Sequence, residues 1–214
     1  MDFIELVHFV VAILLSLTVH EASHALAAYY LGDPTAKMNG RISLNPIRHL
    51  DPYGTMVFVF TMLIGTPFGW GKPVIVDPRN FKHPVRDSGL TALAGPVSNF
   101  VMAFMVALPL KYLVNYMPPA LEQFLWVFFS INVVLGLFNL FPFPPLDGSK
   151  ILGLMVPRRF HRQYLNYIYH GQKYFIVIIL IDVFILRDFL GYSIMGYIIG
   201  GIYHYVSLAL LLGT

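Results

Sequence analysis

The sequence contains no cysteine among its 214 residues. This absence excludes disulfide bonds and cysteine-ligated metal sites, so any bound metal ion must be held by histidine and carboxylate groups. Charged residues are also scarce, because they make up 12% of the chain against about 25% in an average soluble domain. Hydrophobic residues make up 57%. These proportions predict a polytopic membrane protein without a separate soluble domain.

The beginning of the chain lacks positive charge, since residues 1–5 read MDFIE. No small-residue cleavage site stands before the first functional motif, and we therefore expect no removable signal peptide. The formal net charge is only +3. We interpret the basic residues through their placement along the chain, as determinants of membrane topology, and expect no nucleic-acid partner.

Apolar runs of roughly 20 residues predict membrane-spanning helices. Five runs stand out, at residues 6–31, 90–113, 124–140, 174–186 and 192–212. A sixth stretch, residues 53–70, is uncharged but is interrupted by Gly54, Gly65, Pro67 and Gly69. So short a run is as typical of a re-entrant or interfacial element as of a span. The predicted fold is all-α, with five to six transmembrane helices and a re-entrant or β-hairpin segment near residues 53–70.

The placement of lysine and arginine separates the five-span from the six-span arrangement. Twelve of the 14 basic residues fall in residues 32–89 and 141–173, and only Lys111 and Arg187 lie elsewhere. If residues 53–70 do not cross, the basic residues divide 12 to 2 between the two sides, and if they cross, nine to five. The positive-inside rule favours the first division. We therefore expect five spans, with the N-terminus outside and the C-terminus in the cytoplasm.

A carboxylate and two imidazoles interrupt the first apolar run. Between residues 9 and 31, Glu21 is the single charged residue, and it lies in the HExxH pattern formed with His20 and His24. Burying these groups carries a heavy desolvation cost unless they bind a ligand or face a wet cavity. HExxH on a helix is a zinc-protease signature. The alternative is two histidines in interhelical hydrogen bonds beside a water-filled pocket, and the apolar surroundings favour the metal.

Helix geometry assigns different chemistry to the three residues. Residues four apart lie about 40° apart around the axis, so His20 and His24 share one face and can reach one Zn²⁺. Glu21 is turned away by about 100°, which makes it a poor third ligand. That position suits a general base that acts on a metal-bound water.

A proline-rich segment at the end of the third run offers a further ligand. Pro142, Pro144 and Pro145 precede Asp147, and prolines break helices and remove backbone donors. Asp147 would complete a set of two histidines and one carboxylate, with the fourth position open for water. The alternative is a structural helix stop with a solvated aspartate. In the five-span arrangement the first and third spans run in the same direction, so Asp147 and the HExxH can share one depth.

Together these motifs resemble the site-2 protease family of intramembrane zinc metalloproteases (M50 type), in its small form without PDZ or CBS domains. The resemblance covers about residues 10–155. It is carried by HEASH at 20–24, GRISLNP at 40–46, LDPYGT at 50–55, AGPVSN at 94–99 and NLFPFPPLDG at 139–148.

The resemblance implies a zinc endopeptidase that cuts membrane proteins in or near their transmembrane segments. It implies one Zn²⁺ held by His20, His24 and Asp147, with Glu21 as the catalytic base. It also implies that Asn139 helps to hold substrate or stabilises the developing oxyanion. We expect an integral protein of a prokaryotic cell membrane, with the active site near the cytoplasmic side.

We expect one transmembrane metalloprotease domain over residues 1–214, with a catalytic core at about 6–155 and a C-terminal helix pair at about 171–212. The expected partners are the lipid bilayer and a membrane-protein substrate, and the sequence determines neither the substrate's identity nor the oligomeric state. The stretch from Gly54 to Gly65 can offer an edge for strand addition by an unwound substrate, or it only packs against the bundle. Asn99 can orient a metal ligand, Asp182 faces the interior or snorkels outward, and the basic residues at 158–162 favour contact with anionic lipid.

Two other functional classes use similar residues. A metal-ion or proton transporter also places histidine and aspartate within the membrane. It does not require a glutamate directly after the first histidine, and the internal repeats frequent in transporters are absent from this sequence. A protease-fold protein that binds membrane segments without cutting them is the second alternative.

Overall fold

The computed structural model describes residues 2–63, 69–186, 189 and 191–211. Within these residues the regular structure is helical, apart from one isolated antiparallel bridge between Leu50 and Gly71. The α-helices are α1 (Phe3–Tyr30), α2 (Thr35–Met38), α3 (Pro52–Leu63), α4 (Pro84–Tyr112), α5 (Pro119–Asn139), α6 (Asp147–Ile151), α7 (His161–Leu180) and α8 (Ile194–Leu210), and a π-helical turn, Ile181–Leu186, continues α7.

In the described part of the chain, three helices are long and apolar enough to cross a membrane, namely α1, α4 and α5, with 28, 29 and 21 residues. They correspond to the first three predicted spans. The fourth predicted span coincides with the second half of α7 and its π-helical turn, and the fifth coincides with α8, which has 17 residues. The all-helical class is thus confirmed with three candidate spans, and the count of five to six stays a prediction.

The core of the bundle lies between α4 and α5. Ala103 and Ala107 of α4 are buried against Phe129 and Val133 of α5. Small residues on one helix let the neighbouring backbone approach closely, which is how helices associate where no water drives them together.

The contacts of α1 fix the directions of its two long neighbours. His20 contacts Asn99, and His24, one turn later, contacts Thr91, so α1 and α4 run antiparallel. Residues 31–83 therefore leave the bundle and return to it at the same end. The residue that follows α5 and its proline-rich turn, Asp147, also contacts His24. This places the end of α5 beside the last third of α1, as the five-span arrangement requires.

Residues 52–63 of the ambiguous stretch form α3 and not part of a β-hairpin. The prediction of a strand edge over Gly54 to Gly65 was wrong for the described part of that stretch, while residues 64–68, with Gly65 and Pro67, lie outside the described residues. A helix satisfies its backbone within the segment, which an apolar environment favours. The β-branched and aromatic preference for strands is weaker than this demand because it depends on neighbours to pair with. Whether the stretch is re-entrant stays a prediction.

An extended segment, residues 71–77, crosses beside α1 and is held at both ends. At its start, the Lys72 N–H donates to the His49 carbonyl at 2.8 Å. At its end, the Asp77 N–H donates to a carboxylate oxygen of Asp33 at 2.8 Å. The guanidinium of Arg41 also donates to the Lys72 carbonyl. This segment, and not α3, is the extended backbone nearest to the predicted site.

Asp182 was predicted either to face the interior or to snorkel outward. The residue is buried, so it takes the interior position. Its carboxylate accepts a hydrogen bond from the Ile194 N–H at 2.8 Å, at the first turn of α8. A carboxylate at a helix N-terminus satisfies backbone donors that have no partner within the helix. This role accounts for the buried charge within the C-terminal helix pair.

Candidate metal centre

The three predicted metal ligands lie together in the structure. Nε2 of His20 and Nε2 of His24 are 3.0 Å apart, and Oδ2 of Asp147 lies 3.1 and 3.0 Å from them. All three residues are buried or nearly so. Asp147 begins α6, directly after the proline-rich turn, so the ligand that is distant in sequence meets the helical pair through the end of α5.

The hydrogen bonds of the two rings fix where their lone pairs point. Nδ1 of His24 lies 2.8 Å from the Thr91 carbonyl oxygen, which can only accept. Nδ1 of His20 lies 2.6 Å from the amide oxygen of Asn99. In the neutral rings both Nδ1 atoms therefore carry the proton, and both Nε2 atoms present lone pairs.

In these neutral tautomers three acceptor atoms converge on one point. Two imidazole lone pairs and a carboxylate oxygen at such distances repel one another unless a cation lies between them. Tetrahedral zinc with bonds of roughly 2.0–2.1 Å separates its ligand atoms by about 3.3 Å, close to the observed spacing. The donor set therefore fits Zn²⁺, with room for a fourth ligand.

A chain of buried amides fixes the ring of His20. Nδ2 of Asn99 donates to Oδ1 of Asn132 at 2.9 Å, and Nδ2 of Asn132 donates to Oγ of Ser16 at 2.9 Å. All four side chains are buried. The predicted role of Asn99 in orienting a ligand agrees with this geometry. Sequence reasoning missed Ser16 and Asn132, although polar residues inside apolar runs are a signal for interhelical hydrogen bonds.

Gly95 lets α4 approach the histidine pair. A Cβ atom added at this position would meet the imidazole rings of both His20 and His24. Any larger residue would therefore push α4 away from α1 or displace the rings. The absence of a side chain at position 95 therefore lets α4 pack directly against the two imidazole rings.

Glu21 lies beside the ligands on the wall of a cavity of about 230 Å³. One of its carboxylate oxygens accepts a hydrogen bond from the Val74 N–H at 3.1 Å. The extended segment contributes Pro73, Val74 and Val76 to the same wall. The predicted general base therefore faces both the ligand cluster and an extended piece of backbone.

Asn139 also lines this cavity. One of its amide N–H groups donates to the Leu135 carbonyl of its own helix at 3.0 Å. The second N–H has no partner in the described part of the chain and is free to meet a substrate, and its role stays a prediction. Ser88 and Lys150 line the cavity as well, and no sequence motif had selected either of them.

Asp33 anchors the extended segment to the end of α1. Its carboxylate, fully buried, accepts from the Asp77 N–H at 2.8 Å and from Nδ2 of Asn80 at 2.7 Å, and Thr35 donates to it through both N–H and hydroxyl. Burial acts to raise the pKa of Asp33, but the donated hydrogen bonds outweigh burial and hold the pKa below its ordinary value. The anchor is therefore ionised at neutral pH.

The chain has relatives of known family. The model of peptidase family M50 matches residues 115–181, which include Asn139 and Asp147. The chain is 42% identical over 158 residues to YwhC of Bacillus subtilis, and the match covers 70% of this chain and 69% of YwhC. It is 37% identical over 96 residues to MJ0611 of Methanocaldococcus jannaschii, covering 44% and 48% of the two chains.

A further relative is Rip2 of Mycolicibacterium smegmatis, which is 30% identical over 147 residues, with 65% of this chain and 53% of Rip2 covered. All three relatives bear the name of a zinc metalloprotease. The chain spans about half the length of Rip2 and MJ0611. No solved structure matches it significantly.

Proposed function

This chain belongs to peptidase family M50, and from this premise we propose that it is a zinc endopeptidase that hydrolyses peptide bonds in or near transmembrane segments of membrane proteins. Family membership supports the zinc metalloprotease chemistry, and the three membrane-length helices make the chain an integral membrane protein. The proposal beyond the family concerns the place of cleavage and the class of substrate.

One observation carries the proposal. Three potential metal-ligand atoms converge beside Glu21, and two of them, with the glutamate, belong to a helix of membrane length. A centre of this kind within an apolar span acts on a peptide bond at membrane depth. A substrate that reaches it must itself enter the membrane.

We assign the chemistry to residues as follows. Zinc supplies a Lewis acid that lowers the pKa of a water molecule toward about 7. Glu21 takes the proton of the attacking water and passes it to the leaving amine. His20 and His24 keep their orientation through Nδ1–H donation to Asn99 and to a backbone carbonyl. Asn139 donates its free amide N–H to the developing oxyanion.

The substrate must be extended, because a helix hides its own peptide bonds. We propose that the unwound substrate pairs with the segment 71–77, which is already extended and lines the cavity. Among the described residues, the backbone groups of Ile75 and Val76 have no hydrogen-bond partner. Strand addition to this segment would lay the scissile bond along the wall that carries Glu21.

We also propose the topology. The chain forms one domain over residues 1–214, with five spans, a re-entrant segment near residues 53–70, a catalytic core at about 6–155 and a C-terminal helix pair at about 171–212. The common end of α1 and α4 and the 12-to-2 division of basic residues support it. The division of basic residues favours the cytoplasmic side for this end under the positive-inside rule, and we propose that the membrane is a prokaryotic cell membrane.

The test compares two variants in one preparation. We expect Glu21→Gln to keep stoichiometric zinc, because no ligand atom changes, and to lose cleavage by about 10²-fold or more. We expect Asp147→Ala to lose both zinc and cleavage. Zinc is measured by elemental analysis after purification in detergent without chelators. Cleavage is measured on a tagged single-span protein, with a glycine-rich centre in its span, reconstituted with the enzyme.

The outcomes separate the alternatives. Cleavage by Glu21→Gln at the wild-type rate would remove the proposed base, and full zinc in Asp147→Ala would move the third ligand elsewhere. A wild type that binds zinc but does not cleave the single-span protein would favour a binder or a metal transporter.

A further inference from the structure

A second large groove lies outside the metal centre and has a volume of about 680 Å³. One wall is the beginning of α4 with the residues just before it, and the other is the segment between α6 and α7. Its cationic residues come from both walls, with Lys82 and Arg86 on the first and Arg158 on the second. His83 and His161 also line it.

These positive charges lack compensation in the described part of the chain. No carboxylate lines the groove, and within the described residues no side chain of Lys82, Arg86 or Arg158 makes an ion pair or hydrogen bond. The neighbouring Asp87 is buried and accepts from the His83 N–H at 2.8 Å. Like charges that converge in one groove repel one another, and a bound anion would relieve that repulsion.

The beginning of α4 adds to the attraction for an anion. The helix has 29 residues, starts with Pro84, and has no side-chain cap from His83. Its first N–H groups give this end a partial positive charge, which the carboxylate of Asp87 in the first turn offsets in part. Both the helix end and the side chains therefore favour the same sign of ligand.

Apolar side chains border the cationic ones. Leu154 and Val156 line the groove, and the adjacent Met155 is 81% exposed. A free anion in water needs no such apolar border, whereas a lipid carries its phosphate next to hydrocarbon. The groove also joins the two basic regions, residues 32–89 and 141–173, which together hold 12 of the 14 basic residues. Anionic headgroups are expected beside such regions.

We propose that this groove binds the phosphate group of an anionic phospholipid, with Lys82, Arg86 and Arg158 around the phosphate and Leu154 beside the acyl chain. The lipid would join the start of α4 to the segment that follows α6. Both elements flank the metal centre, since α4 carries Thr91 and α6 begins with Asp147. The two walls already touch, because a Cβ atom at Gly89 would meet Leu154. A bound headgroup would hold them together.

The experiment compares two double variants with equal loss of charge. Arg86→Gln/Arg158→Gln removes two cations of the groove, and Arg159→Gln/Arg162→Gln removes two exposed cations of the same region that do not line it. Each is purified in a neutral detergent, and its thermal unfolding midpoint is measured with phosphatidylglycerol, phosphatidylcholine or sodium phosphate at matched ionic strength. Native mass spectrometry counts the bound lipid.

We expect phosphatidylglycerol to raise the midpoint of the wild type and of Arg159→Gln/Arg162→Gln by about 5–10 °C at roughly 100 times its Kd. Arg86→Gln/Arg158→Gln should show no such rise and should carry no retained lipid. If that variant does not fold, Arg158→Gln alone serves, because this residue lies in an exposed turn.

Three results would overturn the proposal. Equal lipid binding by both double variants would reduce the effect to general charge. An equal rise with sodium phosphate would assign the groove to a free anion. An equal rise with phosphatidylcholine would assign it to nonspecific solvation by lipid. None of these readouts depends on zinc or on cleavage, so they are separate from the proposed activity.

Discussion

Three polar residues, one from each membrane-length helix, determine the tautomer and the orientation of the imidazole ring of His20. Ser16 comes from α1, Asn99 from α4 and Asn132 from α5, and the hydrogen bonds between them leave only the oxygen of Asn99 facing Nδ1 of the ring. In an apolar environment each of these groups needs its partner, because an unsatisfied amide is costly there. The network therefore ties the packing of the helices to the tautomer and ring orientation of His20, a proposed metal ligand.

We expect Asn99→Ala to weaken zinc binding by about 10- to 100-fold. Without the amide oxygen of Asn99, Nδ1 of His20 loses its acceptor, and neither the tautomer nor the orientation of the ring is held. The zinc Kd is measured by competition with a chelator. Ser98→Ala is the matched control, since the hydroxyl of Ser98 donates to the Gly95 carbonyl of its own helix. An unchanged Kd in Asn99→Ala would show that the ring does not depend on this contact.

The position of the extended segment 71–77 depends on its anchor at the end of α1. The buried carboxylate of Asp33 gathers donors from both sides of this junction, at Thr35 and at Asp77 and Asn80. The pKa of Asp33 lies below its ordinary value, so its folded state favours the ionised form. The stabilisation is then fully present above the ordinary pKa of about 3.8 and is lost as the pH falls through the lower folded value.

We expect Asp33→Asn to destabilise the protein by about 2 kcal/mol at pH 7, because hydrogen bonds to a buried charge are lost. The difference from the wild type should shrink as the pH falls below 3.8, because the unfolded wild-type carboxylate then takes up a proton that the folded one binds less readily. Denaturation midpoints at pH 7 and pH 3 measure both effects. Asp77→Asn is the control, because its carboxylate pairs with the exposed Arg79. A difference that does not vary with pH would contradict the role of the charge.

Because α1 and α4 run antiparallel, the chain returns at the start of α4 to the same end of the helix bundle that it left at the end of α1. The residues between them include α3 and the extended segment, and they return to the bundle at Pro84. The turn between α4 and α5, at residues 113–118, then lies at the opposite end. The metal centre occupies the end shared by the two basic regions.

The absence of cysteine makes this arrangement testable with single cysteine substitutions. Met38, Met155 and Tyr116 are 82%, 81% and 86% exposed. We expect Met38→Cys and Met155→Cys to react with an impermeant thiol reagent in inside-out vesicles, and Tyr116→Cys to react in right-side-out vesicles. The unsubstituted protein should not react in either. Labelling of Met38→Cys and Met155→Cys from opposite sides would require a further crossing between them.

Features that rest on local periodicity follow from the order of the amino acids alone. His20 and His24 share a face because they are four apart on a helix, and the three long spans follow from the length of apolar runs. Asp147 was also predicted, although it is 123 residues from its nearest ligand partner, because proline chemistry and a family resemblance both pointed to it.

Features that depend on which helices meet arise from the packing of the folded chain. The contact of Asn132 with Ser16 joins residues 116 apart, and no local pattern pairs them. Residues 52–63 form a helix and not a strand, because a strand needs a partner that the fold does not supply at that place. The extended wall of the cavity and the cationic groove likewise arise where distant segments pack, and packing is a property that a single sequence does not display.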